Sequence, residues 1–172
     1  MKTRLFAMMA AAMTAMAAMS MSPFQAIIDD NDGPATNIRV KPNGKIAMSV
    51  PTYNTYMVNI SSPSNGWWQV DYIYDPVEDQ PVSLHGSTTG KYWIHYSVLG
   101  LTTRNYGHQR WCLRKSPSER SKAVYYFNEV ITVRPMDISR DGDWVKVKTF
   151  DKKHTGWIEI WNLCDNPLTT CP

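Results

Sequence analysis

Alternation of apolar and polar residues with period two governs this chain, and it is clearest near the C-terminal end. Asp143-Trp144-Val145-Lys146-Val147-Lys148 and Gly156-Trp157-Ile158-Glu159-Ile160-Trp161 both alternate. The charged run Asp151-Lys152-Lys153-His154 between them supplies a turn, so the pair predicts a β-hairpin. Trp144, Lys146 and Lys148 share one face of the first strand and Val145 and Val147 the other; in the second, Ile158 and Ile160 oppose Trp157, Glu159 and Trp161. One face of each strand is built for a core. Gly66-Trp67-Trp68-Gln69-Val70 and Lys91-Tyr92-Trp93-Ile94-His95 repeat the design earlier in the chain, which predicts an internal duplication.

The remaining strands follow from turn chemistry. Asn37 to Lys45 reads as a short strand ending in a Pro-Asn-Gly turn, followed by strands at Ile46 to Val50 and Tyr56 to Ile60. Ser61 to Gly66 turns the chain into a strand from Trp67 to Tyr74. Residues 75–90 form a long polar insertion with Pro76, Pro81, His85 and Gly86. In the second half, strands are expected at Trp111 to Arg114, Lys122 to Phe127 and Val130 to Val133, and Ser139-Arg140-Asp141-Gly142 provides a hairpin turn before Trp144. The halves align in order: Ile38-Arg39 with Leu113-Arg114, Pro42 with Pro117, Lys45 with Lys122, Trp67 with Trp144, Val70 with Val147, and Trp93-Ile94 with Trp157-Ile158. The insertion accounts for most of the extra length of the first copy.

Residues 1–26 read as a secretory leader, with Lys2 and Arg4 before a long Ala/Met-rich run and small-residue cleavage patterns at Ala15-Met16-Ala17 and Ala18-Met19-Ser20. No Cys lies near its end to receive lipid, and no later run is apolar enough to span a bilayer. A secreted or periplasmic product without a membrane span follows. Residues 27–36, with Asp29-Asp30-Asn31-Asp32-Gly33-Pro34, read as a linker, since the carboxylates lack calcium-loop spacing.

The formal charge of +3 includes the leader's two cations, so it offers no signature of nucleic-acid binding. From Tyr106 onward the chain carries 11 basic and 8 acidic residues, a mild excess suited to a solvated face or to weak attraction by anionic polymers. Export permits disulfides. Cys112, Cys164 and Cys171 allow one bridge, either Cys164 to Cys171 or Cys112 to Cys164.

Leu113-Arg114-Lys115-Ser116-Pro117, the Ser-rich loop Ser118 to Ser121, Asp143-Trp144-Val145-Lys146-Val147 and Gly156-Trp157-Ile158 together resemble the bacterial SH3-like domain. Ile38-Arg39-Val40-Lys41-Pro42 and Gly66-Trp67-Trp68-Gln69-Val70 resemble it in the first half, where Tyr92 replaces the usual Gly before Trp. The resemblance implies an all-β chain of two tandem five-stranded SH3-like barrels, residues 37–105 and 106–172. It implies ligand binding, commonly to cell-wall peptides or glycans.

For catalysis, Cys112 with His95, His108 or His154 is the one Cys/His combination available. A strand position gives that thiol no helix N-terminus to activate it. The histidines, His85 included, have no metal-ligand spacing, and no Gly-rich phosphate loop precedes a helix. No enzyme activity, cofactor or metal is expected. Aromatic surface remains: Tyr72, Tyr74, Tyr92 and Tyr96 in the first half, and Tyr125 and Tyr126 in the second, are the candidate ligand-binding residues. The expected partner is peptidoglycan or another envelope polymer; the alternative is a protein on which the module docks.

Overall fold

The computed structural model describes residues 24–164, so most of the expected leader, both cleavage patterns and Cys171 lie outside the described residues. The chain is all-β. In the first half the strands are β1 (Phe24–Ile28), β2 (Ala35–Arg39), β3 (Ile46–Pro51), β4 (Met57–Ser64), β5 (Trp67–Asp75), β6 (Gln80–Pro81), β7 (Tyr92–His95) and β8 (Leu99–Thr103). In the second they are β9 (Trp111–Arg114), β10 (Ala123–Phe127), β11 (Thr132–Ile138), β12 (Trp144–Thr149), β13 (Thr155–Glu159) and β14 (Leu163–Cys164). Single 3-10 turns at Tyr96–Val98 and Ile160–Asn162 precede β8 and β14.

The hairpin that anchors the sequence pattern forms as expected, with Lys146 opposite Trp157 and Val147 opposite Gly156. Val145, Val147 and Ile158 are buried beneath it. Its first-half counterpart is β5 with β7, where Gln69 faces Trp93 and Val70 faces Tyr92. At Asn65-Gly66 both residues take positive φ, the tight turn that the sequence predicts before Trp67. Asp71 is an extra residue between the pairs Ile60–Val70 and Asn59–Tyr72, so Val70 and Ile73 both reach the core while Tyr72 turns outward.

All strands belong to one antiparallel sheet with the order β10-β9-β13-β12-β11-β8-β1-β4-β5-β7-β2-β3; β14 pairs β8 and β6 pairs β5. The two ends of this path do not pair with each other, so the sheet is open, where two closed barrels were expected. Its halves nevertheless repeat the same pairings. β1 pairs β4 and β8 in the first arm, and β8 pairs β11 and β14 in the second. Strand β8 is therefore the last strand of one repeat and the first of the next. Its first two residues bond β1 and the rest bond β11 and β14.

Three places bear on the expected organisation. Phe24 to Ile28, divided between leader and linker in the sequence reading, is a strand with Ala26 and Ile28 in the core, and Ala35 and Thr36 already belong to β2. At the expected 105/106 boundary Asn105 is 1% exposed and its amide bonds Gln109 twice, at 2.6 and 2.9 Å. The insertion is not wholly loop, since β6 pairs Tyr74 and Asp75, and Val82 and Leu84 pack on the core.

One continuous hydrophobic cluster runs through both arms, from Ala26, Trp68 and Ile94 to Leu113, Val145 and Ile158. Polar links join them as well. The Trp68 indole N–H donates to Pro135 O at 2.7 Å. Arg134 donates to Leu99 O at 2.6 Å and Asp29 O at 2.7 Å, and pairs with the Asp29 carboxylate at 3.0 Å.

Sharing β8 predicts that a fragment of residues 106–172 lacks the strand on which β11 and β14 pair. It should stay unfolded by circular dichroism and amide NMR dispersion, and a fragment of residues 97–172 should regain structure. Leu101→Ala in the whole chain should cost about 2–5 kcal/mol and lower one transition seen from both arms. Two separate transitions would refute the shared-strand account.

Candidate functional site

The two arms place a cleft at the same position. In the second arm, Arg110, Cys112, Arg114, Glu119, Trp144 and Glu159 contribute to one of about 500 Å³. In the first, Asp30, Asn37, Arg39, Asn43, Trp67 and His95 contribute to one of about 350 Å³. The register makes these positions correspond: Arg39 opposes Trp93 as Arg114 opposes Trp157, and Trp67 opposes His95 as Trp144 opposes Glu159.

Each arginine has a local structural task. Arg39 donates to Gly44 O at 2.6 Å and Arg114 to Ser121 O at 2.9 Å, so each guanidinium pins the loop of its own hairpin. A guanidinium has five N–H donors, and one such bond leaves others for a ligand. Arg39 also lies 5.9 Å from the centre of the Trp67 ring. Trp67 and Trp144 are both 8% exposed and line the walls of their clefts.

The remaining lining has diverged between the copies. His95 stands where the second arm has Glu159, Asn37 where it has Cys112, and Val98 where it has Asn162. Glu159 accepts from the Asn162 amide at 2.9 Å. His95 packs against Trp67 and Tyr96, with ring centres at 5.0 and 4.5 Å, and its Nδ1 lies 2.8 Å from Ser97 Oγ. Burial there holds the imidazole below its ordinary pKa, because the charged form loses water without gaining a carboxylate. The first cleft thus has a neutral ring where the second has an acid.

The candidate tyrosines do not form one surface. Tyr92 points inward at 9% exposure, because its strand faces the core at that register, and it offers no open ring. Tyr96 is half-buried against His95. Tyr72 and Tyr74 do come together on the outer face of β5, ring centres 6.4 Å apart, and the Tyr74 hydroxyl donates to Asp79. Tyr125 stacks on His154 at 3.9 Å, whereas Tyr126 is 52% exposed with the Arg110 guanidinium 4.1 Å from its ring centre. Tyr126, through Arg110, adjoins the second cleft, Tyr96, through His95, adjoins the first, and Tyr125 lines a separate groove.

Cys112 is a free thiol on the wall of the larger cleft, which removes the Cys112 to Cys164 pairing. Cys112 and Cys164 sit on strands with different neighbours, opposite Tyr126 and Thr102 respectively. No histidine hydrogen-bonds Cys112 among the described residues. Among the described residues no group of three or more His, Cys, Asp or Glu side chains is placed to hold a metal, and no helix is long and apolar enough to cross a membrane.

The cleft residues were visible in the sequence as aligned pairs, Arg39 with Arg114 and Trp67 with Trp144. They read there as marks of the repeat. Their convergence on a cavity depends on strand pairing between distant segments.

Among solved structures the chain is similar to NlpC1 from Trichomonas vaginalis, with 14% identity over 90% of this chain and 50% of that one, at a TM-score of 0.32. It is also similar to NlpC2 from the same organism, with 14% identity over 83% and 48% and a TM-score of 0.31. The chain spans about half the length of these two proteins. Likeness at this level carries no argument about activity or ligand. No family model and no curated protein matches the chain.

His95 gives a pH test. Its folded pKa lies below the unfolded value of about 6.5, so its contribution to stability is complete above that pH and is lost as pH falls through the folded value. The thermal midpoint should fall between pH 7 and 5, and His95→Gln should flatten that fall. An NMR titration placing His95 at or above the ordinary value would contradict the assignment.

Proposed function

We propose that this chain is an exported binding protein made of two SH3-like modules. It holds a peptide- or glycan-bearing envelope polymer in its two equivalent clefts and performs no chemistry on it. The observation that carries this reading is the repeated cleft itself. Arginine and tryptophan return at the same place in both arms while the residues around them change.

The lining suits such a ligand. Guanidinium donors pair with peptide carboxylates, carboxamides of Asn37 and Asn43 reach polar groups, and the tryptophan rings pack against sugar or aliphatic surface. A polymer repeats its epitope, so two clefts on one rigid sheet gain from simultaneous occupation. In this reading the Cys164 to Cys171 bridge, whose second cysteine lies outside the described residues, remains the candidate disulfide, and Cys112 stays reduced. A protein partner is the second reading, favoured by a separate apolar groove on the second arm.

Co-sedimentation of the whole mature chain with purified peptidoglycan tests the first reading. Retention should survive moderate salt. Arg110→Ala with Glu119→Ala in one cleft, or Asn37→Ala with Asn43→Ala in the other, should each weaken it by roughly tenfold through lost contacts and lost avidity. Absence of wild-type retention at low salt would reject this ligand class.

A further inference from the structure

A second groove on the second arm lies among Tyr125, Ile131, Thr132, Thr149, Phe150 and Asp151, with a volume of about 330 Å³. It shares no lining residue with the Arg114–Trp144 cleft. It opens beside β10, the strand that ends the sheet path, where β11 begins and β12 ends. Phe150 is 49% exposed at its rim, and Tyr125 and Ile131 are half-buried.

Register assigns a counterpart to five of the six lining residues. Tyr125 opposes Leu113 as Met48 opposes Ile38. Val133 opposes Thr149 as Val58 opposes Ile73, so Ile131 and Thr132 correspond to Tyr56 and Met57. Asp151 accepts the N–H two residues on, as Asp75 does.

In the first arm Met48, Tyr56, Met57 and Ile73 are all buried, and the chain itself crosses the space. The Val82 N–H donates to Ile73 O at 2.9 Å. Gly86 lies so near β3 that a Cβ there would sit 2.2 Å from Ala47 O. Residues 82–86 therefore run from β5 to β3, with Val82 and Leu84 packed on the core. In extended chain, residues two apart point the same way. Among the described residues the second arm has no such segment, because β12 ends at Thr149 and β13 starts at Thr155.

We propose that the groove at Tyr125, Ile131 and Phe150 binds an extended segment of a partner protein that carries apolar side chains two residues apart. That segment lies as residues 82–86 lie in the first arm. It is uncharged where it enters, since the groove's one carboxylate, Asp151, already accepts the Thr149 hydroxyl at 2.6 Å and the Lys153 N–H at 3.1 Å. The unpaired edge of β10 offers backbone groups alongside it.

The probe is a synthetic peptide with the sequence of residues Gln80 to Ser87, titrated into the isotope-labelled whole chain. Saturable NMR shift changes are expected at Tyr125, Ile131, Thr132 and Phe150. Replacing Val82 and Leu84 by Ser in the peptide, or Phe150→Ser in the protein, should weaken binding by roughly tenfold or more. Tyr53→Ser, at a side chain 80% exposed elsewhere, should leave it unchanged. The proposal fails if the second arm shows no shifts at millimolar peptide, if shifts are confined to Met48 and Tyr56, or if the Ser-substituted peptide binds equally well.

Discussion

Everything in this molecule depends on β8 serving two repeats at once. A strand has two hydrogen-bonding edges, and β8 commits Leu99 and Gly100 to β1 and Leu101, Thr102 and Thr103 to β11 and β14. Thr102 alone faces Thr132 and Cys164 on opposite sides. Gly100 sits where the strand changes partner, and a Cβ there would come within 3.1 Å of both Ile27 and Asp29. The junction needs its smallness rather than its backbone freedom. The repeats cannot separate without breaking ladder hydrogen bonds of both and uncovering the core they share.

Arg134 reinforces the same junction. Its guanidinium is held by two carbonyls and a carboxylate from the first arm, and it lies 4.8 Å from the centre of the Phe150 ring. Burial pulls its pKa down while Asp29 opposes that shift, and an arginine stays charged through any such change. A buried ion pair of this kind is weak evidence of net stabilisation, but removing one partner strands the other charge. In this docking of the arms Arg134 and the Trp68 indole are both satisfied across the junction.

The parts of the fold legible in the sequence were those with one wet face. Val145, Val147 and Ile158 alternate with Lys146, Lys148 and Trp157, so period-two reasoning found β12 and β13, and the repeat order followed. Strand β8 left no such trace, because Leu99, Gly100 and Leu101 are all buried and a Gly interrupts the run. β1 was hidden for a different reason: Phe24 to Ile28 continues the apolar character of the segment before it. Among the candidate site residues, the Tyr72 and Tyr74 pair could be read from spacing, while the burial of Tyr92 could not. A strand of four residues with Tyr, Trp, Ile and His gives no period by which to choose its inner face.

Duplication on a shared strand also explains where the two copies differ. Positions that make the junction and core are fixed by packing, whereas loops at the ends of the strands are tied only to their own arm. The β5 to β7 connection is long enough for Val82 and Leu84 to cover their own arm's core, and the matching connection in the second arm, between Thr149 and Thr155, is short. The cleft near the 3-10 turns diverged in side chains alone, His95 against Glu159 and Val98 against Asn162, because the arginine and tryptophan that shape it also hold a hairpin loop and a core edge. One frame thus carries two versions of a cleft, and a groove that one arm fills with its own chain and the other leaves open.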